Sequence, residues 1–170
     1  MNNMNGFDIY IGTKVVKAQP MCRAAYNRLR GWEVPDDEDG SDEGYLVEYI
    51  DGGQPNHPKF KGYISWSPYD VFQRAYKPNG KLSFGDALVY LKNGEKLTRK
   101  GWNGKDMFIF LVPGSKFKVN RPPLLGIYPE GTEINYQPHI DMKTADDSIV
   151  PWLASQTDML AEDWEIKDTM

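Results

Sequence analysis

The chain has 170 residues with 40% apolar content, enough for one ordinary domain or two small ones, each with a core. Its formal net charge of −4 and sequence pI of about 5.2 argue against general binding to DNA or RNA, so any nucleotide partner is small rather than polymeric. A single cysteine, Cys22, allows no intrachain disulfide, and the sequence has neither a basic-then-apolar leader nor an apolar run long enough to span a bilayer; it reads as a soluble protein of a reducing compartment.

Ile9-Tyr10-Ile11 and Thr13-Lys14-Val15-Val16 predict a short β-hairpin around Gly12, and Met21 to Arg30 predict a helix stopped by Gly31. Pro35 to Glu43 hold six carboxylates in nine residues, but without the alternating ligand positions of a calcium loop they read as a solvated turn. Tyr45 to Tyr49 and Tyr63 to Trp66 are aromatic and β-branched enough for two strands joined through the loop Asp51 to Lys61. Ser67-Pro68-Tyr69-Asp70 offers an N-cap, a proline at the first helical position and a first-turn acid for a helix to about Tyr76. Trp32, Trp66, Tyr45, Tyr63 and Phe72 are the expected core of this part.

The cluster Lys77-Pro78-Asn79-Gly80 divides the chain. Charge does not distinguish the halves: residues 1–80 carry 9 Lys/Arg against 11 Asp/Glu, and residues 81–170 carry 11 against 13, so each stands at −2. The tryptophan and glycine spacings of the two do not superimpose, which argues against an internal repeat. Ser83-Phe84-Gly85-Asp86 opens a helix that runs through Ala87, Leu88 and Leu91 to Gly94. Leu97 to Arg99 and Met107 to Val112 predict strands flanking the turn Gly101-Trp102-Asn103-Gly104. Ser115 to Pro151 read as a long irregular stretch with short strand candidates at Phe117 to Val119 and Glu133 to Tyr136. In the last segment Ser155 or Thr157 can cap a short helix, and Trp164-Glu165-Ile166 reads as core and a closing strand. The fold class is therefore α+β, two small domains of residues 1–77 and 78–170, each a short antiparallel sheet with one or two helices.

Chemistry concentrates in the second half. Between Lys96 and Arg121 lie seven cationic side chains, Lys96, Arg99, Lys100, Lys105, Lys116, Lys118 and Arg121, against one acid, Asp106, around Trp102. Such a segment reads either as a surface for a flat anion, with rings stacked on indole and phosphates on Lys and Arg, or as a solvated turn between strands. Machinery for catalysis is thin. The two histidines, His57 and His139, have no nucleophile at a useful spacing, and His139-Ile140-Asp141 places two metal ligands on a strand face without a third. Gly101 to Lys105 lack the glycine spacing and the Ser/Thr of a P-loop. A binding protein without metal or cofactor is the stronger class than an enzyme. Asp158 has two readings, a first-turn acid favouring its helix or a carboxylate for an adenine amine or ribose hydroxyl.

Ser83-Phe84-Gly85-Asp86-Ala87-Leu88, then Arg99 to Lys105, then Pro151-Trp152 through Met159 to Trp164, resemble the second Thoeris anti-defence family of phage proteins over about residues 81–167. Residues 1–80 resemble a separate small phage domain of unknown role. The resemblance implies a sponge: such proteins bind the cyclic ADP-ribose isomer made by the Thoeris sensor without degrading it, so the effector is never switched on. Some members also hold cyclic oligonucleotides at a distinct site, and the family's subunits form homotetramers with pockets at their interfaces. The resemblance puts the family's paired aromatic wall on Trp102 and Trp152 and polar ligand contacts on Arg99, Asn103, Ser155, Gln156 and Asp158. It implies a place of action in the cytoplasm of the infected bacterium. The alternatives are a phage structural or protein-interaction module, and a nucleotide-processing enzyme.

Overall fold

The computed structural model describes residues 10–167, and the chain divides into two compact units, Met1–Lys77 and Pro78–Met170. Among the described residues the secondary structure is mixed, with helices beside short antiparallel sheets, as the α+β reading expects.

The first unit runs β1 (Val16–Pro20), α1 (Arg23–Arg30), β2 (Gly44–Tyr49), β3 (Tyr63–Pro68) and α2 (Tyr69–Ala75), with β2 central in an antiparallel sheet. Helix α1 ends where predicted: Gly31 takes the left-handed conformation at φ 71° and its N–H closes the last turn onto Arg28. The hairpin expected around Gly12 does not form. Ile9 lies outside the described residues, residues 10–15 carry no regular structure, and the strand starts at Val16, paired with β2 from Tyr49 to Tyr45. β2 offers an apolar partner with Leu46 and Val47 buried, whereas Tyr10 and Ile11 lie almost fully exposed.

The core of this unit also departs from expectation. Phe72 is buried, but Trp32 and Tyr63 are about half exposed, and the centre is Tyr26, Leu46 and Ile64. Trp32 follows the Gly31 turn and lies against solvent, stacked on the Arg30 guanidinium at 4.4 Å. Ser67 does not cap α2. It stays in β3 opposite Tyr45, so that Pro68 becomes the N-cap. That extension needs Gly44 across the pair, since a Cβ there would strike Ser67 O and the Trp66 ring.

The second unit contains α3 (Phe84–Lys92), β4 (Leu97–Arg99), β5 (Phe108–Val112), β6 (Ser115–Lys118), β7 (Glu133–Tyr136), β8 (His139–Lys143), β9 (Ile149–Pro151), α4 (Gln156–Met159) and β10 (Trp164–Ile166). Five strands form an antiparallel sheet in the order β10-β4-β5-β8-β9, and β6 pairs β7 separately. The stretch expected to be irregular thus contributes β8 and β9 to the main sheet. The pairing of β8 with β5, Ile109 opposite Met142, is a long-range match that puts both apolar side chains in the core.

Helix α3 carries the predicted capping box: Ser83 Oγ accepts from the Asp86 N–H at 3.2 Å while Asp86 Oδ2 accepts from the Ser83 N–H at 3.0 Å. Its buried Ala87 and Leu91 pack with Leu97, Ile109, Met142 and Trp164, the last with no exposed surface. Truncating so large a core side chain costs about 3–5 kcal/mol. Leu82 and Trp164 exchange both backbone hydrogen bonds at 3.1 Å, and the Asn79 carboxamide accepts from the Ile166 N–H at 2.7 Å, so the first and last segments of this unit are tied together.

Candidate ligand-binding site

Strands β4 and β10 are antiparallel neighbours with Arg99 opposite Trp164. That register sets the Arg99 side chain beside the α4 segment, and two carboxylates meet it there. Arg99 Nη1 donates to Asp158 Oδ1 at 2.7 Å and Nε donates to Asp163 Oδ1 at 2.8 Å, with only a tenth of the arginine side chain exposed. The other Asp163 oxygen accepts from the Gly101 N–H at 2.7 Å. A Cβ at Gly101 would lie 2.9 Å from that oxygen and 3.2 Å from Arg99 Nη2, so a side chain there has to push the Asp163 carboxylate aside.

Asp158 joins three elements. Its Oδ2 accepts from the Ser155 N–H at 3.1 Å and from Ser155 Oγ at 2.7 Å, closing a second capping box on α4. Its Oδ1 accepts from Arg99 and also from Trp102 Nε1 at 3.0 Å, while its backbone oxygen accepts from Trp164 Nε1 at 3.0 Å. Burial by itself would raise the Asp158 carboxyl, but the hydrogen bonds from Ser155, Trp102 and Arg99 outweigh it and hold the group at about 2. The Arg99 bond likewise keeps Asp163 below the usual carboxylate range.

On this ionic base stands an aromatic cluster. Trp102 lies 5.4 Å from Trp164 and 6.5 Å from Trp152, and Phe84 lies 6.1 Å from Trp152, all as tilted or edge-to-face pairs. Trp164 is fully buried, whereas Trp102 and Trp152 are half-buried and pack against the core from outside. The planes of Trp102 and Trp152 meet at 64°, so within one chain the two indoles do not form a parallel-walled slot.

Of the seven residues expected at the site, the structure joins Arg99, Trp102, Trp152, Ser155 and Asp158 in one cluster, with Asn103 and Gln156 beside them in the chain, and gives them different duties. Trp102 and Trp152 are adjacent. Asn103, Ser155 and Gln156 are exposed, and Ser155 is engaged in the α4 cap. Arg99 and Asp158 face each other rather than solvent, so they position Trp102 instead of offering free contacts. The same box takes up the backbone N–H groups of Ser155 and Asp158 at the start of α4. Asp163 and Gly101 escaped sequence reasoning, because only the β4–β10 register shows that they meet Arg99. Around the site Leu153, Leu160 and Met159 form an apolar rim with exposures of 91%, 82% and 46%. Among the described residues no group of three His, Cys, Asp or Glu is placed to hold a metal ion, and no helix is long and apolar enough to cross a membrane.

Residues 82–167 match the family described as Tad2-like, the Thoeris anti-defense 2-like domain. The chain is also similar to a protein of Bacillus phage SP01 named Thoeris anti-defense 2, with 45% identity over 86 residues, covering 51% of this chain and 94% of that protein. The match holds α3, the Arg99–Asp158–Asp163 cluster and every tryptophan of the site, and leaves out the first unit.

Proposed function

Because the chain belongs to the Thoeris anti-defense 2-like family, we propose that it is a phage anti-defence protein that captures a cyclic ADP-ribose-type signal nucleotide and holds it unaltered in the infected bacterium, starving the Thoeris effector. The observation that carries this reading is the pair of half-buried indoles Trp102 and Trp152, the first fixed by its bond to Asp158, beside the exposed polar residues Asn103, Ser155 and Gln156. An adenine ring stacks on the open indole surface, and the amide and hydroxyl groups reach its ribose. Lys100 and Lys105, exposed on the same turn, meet the phosphates.

Competition with a sensitive immune sensor calls for nanomolar affinity, on the order of 12 kcal/mol. Stacking at about 1–3 kcal/mol per ring and charge-assisted bonds at about 1.5–3 kcal/mol each reach that range only when several act together. The apolar rim of Leu153, Met159 and Leu160 supports assembly of subunits at this end, which adds contacts from a second copy; a homotetramer is the assembly we propose. Binding without turnover fits a site whose buried acid, Asp158, is paired with Arg99 and held ionised rather than poised for proton transfer.

The test incubates the protein with cyclic ADP-ribose isomers, removes free ligand, denatures the protein by heat and identifies the released compound by mass spectrometry. Recovery of the intact nucleotide supports sequestration. A hydrolysed product makes the protein an enzyme, and an empty protein leaves a protein-interaction module. Asn103→Ala and Gln156→Ala, both at exposed positions, are expected to weaken binding by about tenfold each while leaving the unfolding temperature unchanged.

A further inference from the structure

Beside the hairpin β6–β7 lies a cavity of about 700 Å³, a volume suited to a small organic ligand. Its lining shares no residue with the Trp102–Asp158 site. Phe117 and Tyr136 supply aromatic surface, Pro122 and Pro123 aliphatic surface, and Lys118 and Arg121 positive charge, with no carboxylate in the lining.

The hairpin register explains the aromatic part. Ser115 pairs with Tyr136 and Phe117 with Ile134, so Phe117 and Tyr136 stand on one face, diagonal neighbours with ring centroids 6.2 Å apart. Folding leaves both open, 38% and 49% exposed, although an isolated two-stranded ribbon would gain from covering them. The wall is held in place without a ligand. Val119 is buried, its N–H donates to Thr132 O at 2.9 Å, and its carbonyl accepts from the Gly131 N–H at 2.8 Å, which fixes the chain where the strand leads into the proline segment. Among the described residues neither Lys118 nor Arg121 forms an ion pair, although Arg99, Lys100, Lys143 and Lys167 of the same unit each do.

Lys118 stands opposite Glu133 on the other face of the hairpin, so the open aromatic rings, rigid proline surface and the Arg121 guanidinium are what select for a flat ring carrying negative charge. We propose that this cavity is a binding site for a small aromatic anion, one or two fused rings bearing a carboxylate, sulfonate or phosphate. The ring packs on Phe117 and Tyr136, and the anionic group takes a charge-assisted hydrogen bond from Arg121. A neutral apolar compound would leave Arg121 without a counter-charge, and an acidic polymer is disfavoured by the net −4 of the chain.

The full-length protein is titrated with 8-anilino-1-naphthalenesulfonate, an aromatic anion that fluoresces in apolar surroundings. Saturable binding is expected, weakened at least about fivefold by Arg121→Gln, which removes the charge-assisted bond, and by Tyr136→Ala, which removes a ring face. Gln156→Ala, at the other site, is expected to bind the probe as the wild type does, and the uncharged N-phenyl-1-naphthylamine to bind more weakly. Unfolding temperatures establish that each variant is folded, and Arg121→Gln, at an exposed position, carries the test if Tyr136→Ala is not. Equal affinity in wild type and Arg121→Gln, equal affinity for the charged and uncharged probes, or the absence of saturable binding overturns the proposal. Each of these leaves the nucleotide reading of the tryptophan site untouched.

Discussion

Asp158 shows how one side chain sets the character of a surface. Its carboxylate oxygens accept four hydrogen bonds, from Ser155 N–H, Ser155 Oγ, Arg99 and Trp102, at a position 8% exposed. The folded carboxyl sits at about 2, against an ordinary value near 3.9. As acid is added the unfolded chain therefore takes up its proton first. The stability this supplies is complete above about pH 4 and is lost as pH falls toward 2, about 2 kcal/mol in all. Unfolding in denaturant across that window is expected to show the wild type losing about 2 kcal/mol more than Asp158→Asn, which cannot titrate. At neutral pH Asp158→Asn is itself expected to be less stable by about 3 kcal/mol, since it leaves a buried guanidinium half paired. Arg99→Lys is expected to cost about 2 kcal/mol, because an ammonium has no planar fork to reach Asp158 and Asp163 together. The family resemblance put Arg99 and Asp158 at one site, but that they bond each other was not legible in the sequence. They lie 59 residues apart, and an isolated arginine and a first-turn acid each have ordinary local explanations.

At the scale of elements, local chemistry was legible and long-range pairing was not. Ser83 and Asp86 announce α3 because a capping box is complete within four residues, and Gly31 announces the end of α1 because a left-handed turn favours glycine. Strands β8 and β9 gave no comparable sign. His139 to Lys143 mix polar and apolar residues after Pro138, and their strand character depends on β5, met only through the fold. The Gly12 hairpin failed for the same reason in reverse, a plausible local pairing displaced by a distant partner with more apolar surface to cover. The two capping boxes give a test of the distinction between local and shared roles. Ser83→Ala is expected to cost about 1 kcal/mol, the usual loss of a cap. Ser155→Ala is expected to cost more, about 2 kcal/mol, and to shift the tryptophan fluorescence, since the same carboxylate holds Trp102. Equal losses by chemical denaturation with unchanged emission would mean that α4 and Trp102 are held independently.

For the whole molecule, the α+β class and the antiparallel pairing followed from strand and helix signals read in order, and Trp164 was correctly placed in the core. The aromatic residues of the first unit were less legible, because Trp32 and Tyr63 are as apolar as any core residue yet lie at a helix end and at the start of a strand. The relative from phage SP01 is matched over nearly its whole length by 86 residues, half of this chain. Residues 78–170 produced alone are accordingly expected to unfold in a single cooperative transition and to retain nucleotide binding; a chain that stays unfolded without residues 1–77 would make the first unit part of the folding machinery. The bonds between Leu82 and Trp164 and between Asn79 and Ile166 have a topological consequence for such a module. With entry and exit clasped side by side, the unit is a closed loop of chain that can be spliced into, or appended to, another protein through one point of attachment, and its ends can be joined and reopened elsewhere without unthreading the sheet.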